Sequence, residues 1–142
     1  MAQFVFQHMV NEKGLSDQFE IDSAGTERYN EIHHAGIYPE TKEMLTRMHI
    51  PFTEHYSRQI RPKDYDNYDY ILTMDESNIR NIMAINGPDT KHKIHRLLDF
   101  TSKPRDIRDP WYTGNFEETY WDVVEGADAF LTFVLNDEQS SV

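Results

Sequence analysis

Asp109 stands in a polar stretch and is followed at once by Pro110, Trp111 and Tyr112. A carboxylate in that setting has two uses. It can close an Asx-type turn by accepting a nearby backbone amide, or it can hold a proton and deliver it to a leaving group. The Asp109-Pro110 pair alone leaves both open. The rings of Trp111 and Tyr112 can likewise pack over a core or stack on a ligand. The histidines offer less. His33 and His34 are adjacent, so their side chains point apart in a strand or loop. His92 and His95 have ligand spacing only on a helix, and Lys91, Lys93 and Arg96 crowd them with positive charge. These residues predict no metal site. No Ser-His-Asp signature and no Gly-rich nucleotide loop is present. The 142 residues include no cysteine, so they supply no disulfide, no thiolate metal ligand and no cysteine nucleophile.

The elements that must position these groups can be read from periodicity. Met1, Phe4, Val5, Met9 and Val10 form a helical face, and Gly14 ends that helix. Phe19-Glu20-Ile21-Asp22-Ser23 alternates and reads as a short strand closed by Gly25. Pro39 to Met48 reads as a helix with a stripe of Met44, Leu45 and Met48. Tyr70-Ile71-Leu72-Thr73-Met74 suits a strand buried on both faces. Asp75-Glu76-Ser77 can cap a helix that runs to about Ile85 and stops before Gly87-Pro88. Ile94 to Leu98 is a weaker strand, and 99–115 is a polar loop with two prolines. Phe116, Tyr120, Val123, Ala127, Phe130 and Val134 mark the final helix, with a frayed tail over 137–142. This alternation predicts one α/β domain over 1–136 with a mostly parallel sheet. Ligands of such sheets gather at the carboxyl ends of the strands. There the candidates are Asp22-Ser23, Met74-Asp75 and the 99–115 loop.

Four segments occur in a telling order. They are Asp22-Ser23-Ala24-Gly25-Thr26, Ser57-Arg58-Gln59-Ile60, the run from Tyr70 through Met74-Asp75-Glu76-Ser77-Asn78, and Asp109-Pro110-Trp111-Tyr112 ahead of Phe116-Glu117 and Tyr120. With Val5-Phe6-Gln7 in a first helix, the set resembles the low-molecular-weight protein tyrosine phosphatases over nearly the whole chain. The resemblance implies a three-layer αβα fold with a short, mostly parallel sheet. It implies hydrolysis of phosphotyrosine proteins or aryl phosphates, without cofactor or metal. Asp109 would be the general acid. Trp111, Tyr112 and Tyr29 would wall the pocket. Ser23 and Asn78 would orient the phosphate loop, although Ser23 also reads as a simple turn residue and Asn78 as a helix surface residue.

The departure lies at the front. The family opens with an apolar strand and Cys-x5-Arg-Ser-Pro, and Met1-Ala2 here aligns with the residues just after that Ser-Pro. Arg58 and Arg61 lie far from any such loop context. The expectation is therefore a truncated, inactive relative lacking the family's central first strand. The alternative is a non-catalytic pseudophosphatase module that binds a partner through its aromatic loop. An arsenate-reducing relative fits less well, because it too needs cysteines. A central strand buries about four or five large side chains at roughly 1.5–3 kcal/mol each. That sum approaches a whole domain's stability of about 5–15 kcal/mol. The sequence therefore predicts closure of the gap by rearrangement of 1–25 or by a homo-oligomer.

Composition bounds the partners. Apolar residues make up 38% of the chain, which favours a folded globule, and the formal net charge is −11. An acidic surface repels nucleic acid and anionic membrane. It also means that any phosphate site needs a strong local positive field. No apolar run of membrane-spanning length and no basic, apolar leader is visible. The expected location is cytoplasmic.

Overall fold

The computed structural model describes residues 1–33 and 35–140, apart from the side chains of 29, 30 and 138–140. Helix α1 (Ala2–Glu12) buries Phe4, Val5 and Val10, and Gly14 lies just beyond it at φ +68°. Helix α3 (Pro39–Arg47) starts on a proline at its first turn and buries Thr41, Met44 and Leu45. Helix α5 (Glu76–Asn86) is capped by Asp75, whose side chain accepts from the Asn78 amide at 2.9 Å. It stops at Gly87, held at φ +90°. Two short helices, α2 (Arg28–Ile32) and α4 (Pro62–Asn67), fill stretches that the sequence reading leaves without regular structure.

Strands β1 (Ile71–Thr73) and β2 (Ile94–Arg96) pair in parallel, with Ile71 opposite Ile94 and Thr73 opposite Arg96. Successive side chains point to opposite faces, and the two faces carry separate cores. Ile94 joins Ile60 and Ile82, with Ile71 packed against them beneath α4 and α5. On the other face, Leu72 packs into the larger cluster built by α1, α3 and helix α7 (Phe116–Ser140). Helices on both faces of a small parallel sheet make three layers, the expected α/β architecture.

The expected strand over 19–23 does not form. The backbone there is without regular structure up to a single parallel bridge between Gly25 and Gln59. Alternation describes side chains, but a strand also needs a neighbour for its backbone groups. The described sheet has only β1 and β2, so 19–23 has no ladder to join. The same shortage explains the burial of β1. Ile71 and Leu72 are half-buried and only Thr73 is fully buried, where the apolar run suggests a strand covered on both sides. The strand predicted to reach Leu98 ends at Arg96, and Leu97–Phe100 turn into a short 3-10 helix. Helix α7 continues to Ser140, past the Asn136 boundary read from the sequence. No described helix is long and apolar enough to cross a membrane.

An ion-pair hub holds the irregular 19–25 segment. Arg58 donates to Asp22 at 3.1 Å and to Asp64 at 2.9 Å. Asp64 also accepts from the Arg61 amide at 2.8 Å, which caps α4. Burial pushes the Asp64 carboxyl up. The hydrogen bonds from Arg58 and the Arg61 amide, with the charges of both arginines, outweigh it and hold the group below the ordinary carboxylate value. Among the glycines, the closest packing is at Gly126 in α7. A Cβ there would lie 2.6 Å from Leu97 Cγ and 3.2 Å from Leu97 O.

These contacts make stability testable at two positions. Replacing Gly126 by Ala adds helix propensity of about 1 kcal/mol. It also overpacks a buried junction, at a cost of about 1–3 kcal/mol or more. Because the clash involves a branch carbon and a backbone oxygen, we expect a net loss of stability, read as a lower urea midpoint. An unchanged or higher midpoint would contradict the close approach. For Asp64, a depressed folded pKa means stability that is present above the ordinary carboxylate value and lost as pH falls through the folded one. Asp64→Asn should therefore flatten the fall in melting temperature below about pH 4, and an unaltered acid limb would count against the Arg58 hub.

Candidate active site

The polar loop after β2 is pinned at successive points before it reaches Asp109. Thr101 Oγ1 donates to Leu98 O at 2.7 Å. Arg105 pairs with Asp122 at 2.9 Å and with Glu125 at 2.8 Å on α7. Ile107 is buried, and its amide donates to Met74 O at 2.8 Å, just past the carboxyl end of β1. Thr119 Oγ1 donates to Arg108 O at 3.1 Å. These bonds tie the loop to the sheet and to α7, and so fix where the chain leaves toward Asp109.

Asp109 then heads the short helix α6 (Pro110–Thr113). Its Oδ1 accepts from the Trp111 amide at 2.9 Å. The Asx-type turn left open by the sequence is therefore formed. It does not exclude the other role. Among the described residues nothing else binds this carboxylate, and Oδ2 stays open to carry a proton. Gly114 at φ +70° closes α6.

A cleft of about 500 Å³ lies beside this turn and is lined in part by Glu27, Asp75, Asn78, Arg108, Asp109 and Tyr112. The structure thus brings Asp109, Tyr112 and Asn78 together. Asn78 is no bare surface residue. Its Oδ1 accepts from the amides of Met74 at 3.2 Å and Asp75 at 3.3 Å, which seats the start of α5 at the cleft. Trp111 and Tyr112 do not pack over the core, being 66% and 85% exposed. The Trp111 ring stacks instead on Tyr38, with centroids 5.5 Å apart and planes at 33°. Tyr38 escaped the sequence reading. Tyr29, the residue expected on the opposite wall, lies in α2, and its side chain lies outside the described residues.

Ser23 is not among the cleft-lining residues. Its hydroxyl donates to Gln3 Oε1 at 2.6 Å and lies 2.9 Å from His55 Nε2. With its one proton committed to Gln3, Ser23 must accept from His55. The pair therefore does not have the polarity of a nucleophile and its base. It is a clasp between α1 and the segment before Arg58. His55 was also missed from sequence, since a pairing across 32 positions leaves no local signal.

Positive charge at the site is scarce. Arg58 is taken by Asp22 and Asp64, Arg61 pairs with Glu31, and Arg96 pairs with Asp99 and Asp106. Among the described residues Arg108 makes no ion pair, and it lines the cleft. Described histidines and carboxylates form no group of three that could hold a metal ion, and His34 lies outside the described residues.

Comparison with known proteins gives a consistent result. The family model for low molecular weight phosphotyrosine protein phosphatase matches residues 1–140. The low molecular weight protein-tyrosine-phosphatase YfkJ of Bacillus subtilis is 35% identical over 143 aligned positions, covering 98% of this chain and 89% of the relative. The low molecular weight protein-tyrosine-phosphatase PtpA of Staphylococcus epidermidis is 34% identical, covering 96% of this chain and 86% of its own. The crystal structure of YfkJ superposes with a TM-score of 0.88 at 33% identity, over 96% of this chain and 86% of that one.

Proposed function

The chain belongs to the low molecular weight phosphotyrosine protein phosphatase family, and from that premise we propose that its cleft serves the cleavage of aryl phosphate monoesters, with Asp109 protonating the leaving phenolate. The observation that carries this reading is the Asp109 turn itself. Its Oδ1 is held by the Trp111 amide while Oδ2 faces no described partner, beside a cleft lined by exposed Tyr112, with exposed Trp111 next to it on α6. A phenol ring can lie against those side chains and present its ester oxygen to the carboxyl group.

In the route the family implies, a thiolate attacks phosphorus and forms an S–P bond as the P–O bond to the aryl group breaks. The electron pair leaves on the phenol oxygen, which takes the proton from Asp109. Asn78 supports the site by fixing the amides of Met74 and Asp75. Ser23 lies outside the cleft lining and ties α1 to the segment before Arg58 through Gln3 and His55. The 142 residues hold no thiol, so by themselves they provide the acid and the binding walls but not the nucleophile. A second reading, a non-catalytic module that holds a partner, is favoured by the exposure of Trp111 and Tyr112.

Two outcomes are expected. The 142-residue chain should not hydrolyse p-nitrophenyl phosphate above background, since a lone acid supplies only about a hundred- to ten-thousand-fold. A turnover of about 1 per second or more that survives repurification would overturn the need for an added thiolate. Joining an apolar strand and Cys-x5-Arg-Ser-Pro ahead of Met1 should create aryl phosphatase activity. In that protein Asp109→Asn should slow phenyl phosphate far more than p-nitrophenyl phosphate, because the poorer leaving group needs the proton more. Equal effects on the two substrates would remove Asp109 from the acid role. No activity in the joined protein, with the fold intact, would favour the binding module.

A further inference from the structure

Trp111 sits on α6, a four-residue helix with no buried residue. The core therefore does not fix its ring. Tyr38 does better. It stands just before α3, where Pro39 occupies the first turn, and its carbonyl accepts the Lys42 amide at 3.0 Å. Helix α3 is in turn anchored by buried Thr41, Met44 and Leu45. The Tyr38 ring, projected from this fixed base, meets Trp111 in a tilted stack with 5.5 Å between centroids. Tyr38 is 42% exposed, so the stack leaves ring surface open to a ligand. Burial raises the Tyr38 phenol above its ordinary value, and the nearby charges of Asp109 and Tyr112 add to that. Trp111 in turn lies on the one-turn helix that Asp109 caps, which sets the stack next to the proposed acid.

We propose that Tyr38 is a specificity-determining residue of this site: by stacking on Trp111 it holds an aromatic wall that favours aryl over alkyl phosphates. The inference rests on the phosphatase reading above. An aryl phosphate lays a flat π-face against the paired rings, whereas an alkyl phosphate offers no such face and gains only loose contact. Removing Tyr38 frees Trp111 to turn on its short helix, and the wall loses its orientation.

The test uses the 142-residue chain with nitrogen-15 in its tryptophans. There are two tryptophans, and Trp111→Phe identifies the Trp111 indole signal. Phenyl phosphate and n-butyl phosphate are then titrated separately. The Trp111 signal should move saturably with phenyl phosphate, at concentrations about fivefold below those needed for the butyl ester. Tyr38→Phe should keep that ratio, and Tyr38→Leu should bring it to near one, with both variants checked by melting temperature. A preference unchanged in Tyr38→Leu, a loss as large in Tyr38→Phe, or no preference in the original chain would each overturn the proposal. A failed titration would leave Asp109-dependent hydrolysis by the joined protein untouched. Loss of that hydrolysis with the titration intact would instead remove the catalytic reading.

Discussion

The contact between α7 and Leu97 at Gly126 governs the course of the chain from β2 to Asp109. Because the helix backbone comes within van der Waals reach of Leu97, the 3-10 helix after β2 is clamped between sheet and helix. The loop that leaves this clamp does not wander. Arg105 meets α7 at Asp122 and Glu125, Thr119 takes Arg108 O, and Met74 O takes the Ile107 amide. Asp109 is therefore placed by the same helix and the same strand that form the main core. A buried residue without a side chain thus stands at the start of the path that leads to the proposed acid.

The electrostatics fit the division of labour. Exposed ion pairs typically contribute only about 0–1 kcal/mol, so the arginines matter more for what they connect than for how much they stabilise. Arg58 binds the irregular segment to α4, Arg96 binds the end of β2 to Asp106, and Arg105 binds the loop to α7. In a chain of net charge −11, committing these cations to structure leaves the cleft poor in positive field. Arg108 is the exception at the cleft, next to the residue proposed to give the proton.

Much of this was legible in the sequence where the signal is local. Asp75-Glu76-Ser77 announced a helix start, and the spacing from Phe116 to Val134 announced α7 with its buried face. The Asp109 turn was also readable, because an Asx turn needs only residues two apart. What failed was non-local. The 19–23 segment has the alternation of a strand, but no property of those residues says whether a neighbour exists. Helix α4 hid in a polar, tyrosine-rich stretch, where Pro62 at the first position and Asp64 in the first turn were the available clues. The Tyr38–Trp111 stack and the Ser23–His55 clasp join distant positions through tertiary packing, and single-sequence patterns do not carry such pairs.

The loop leading to Asp109 is fastened by two kinds of bond, and they answer differently to ionic strength. Arg105 and its two carboxylates are partly open to water, so dissolved ions screen them within a Debye length of about 8 Å at physiological salt. The fastenings nearest Asp109 are neutral, running from the Thr119 hydroxyl to Arg108 O and from the Ile107 amide to Met74 O. A concentrated electrolyte would therefore slacken the middle of the loop while its working end stays in register. The placement of Asp109, though not its exposed charge, is thus held by bonds that dissolved ions do not screen.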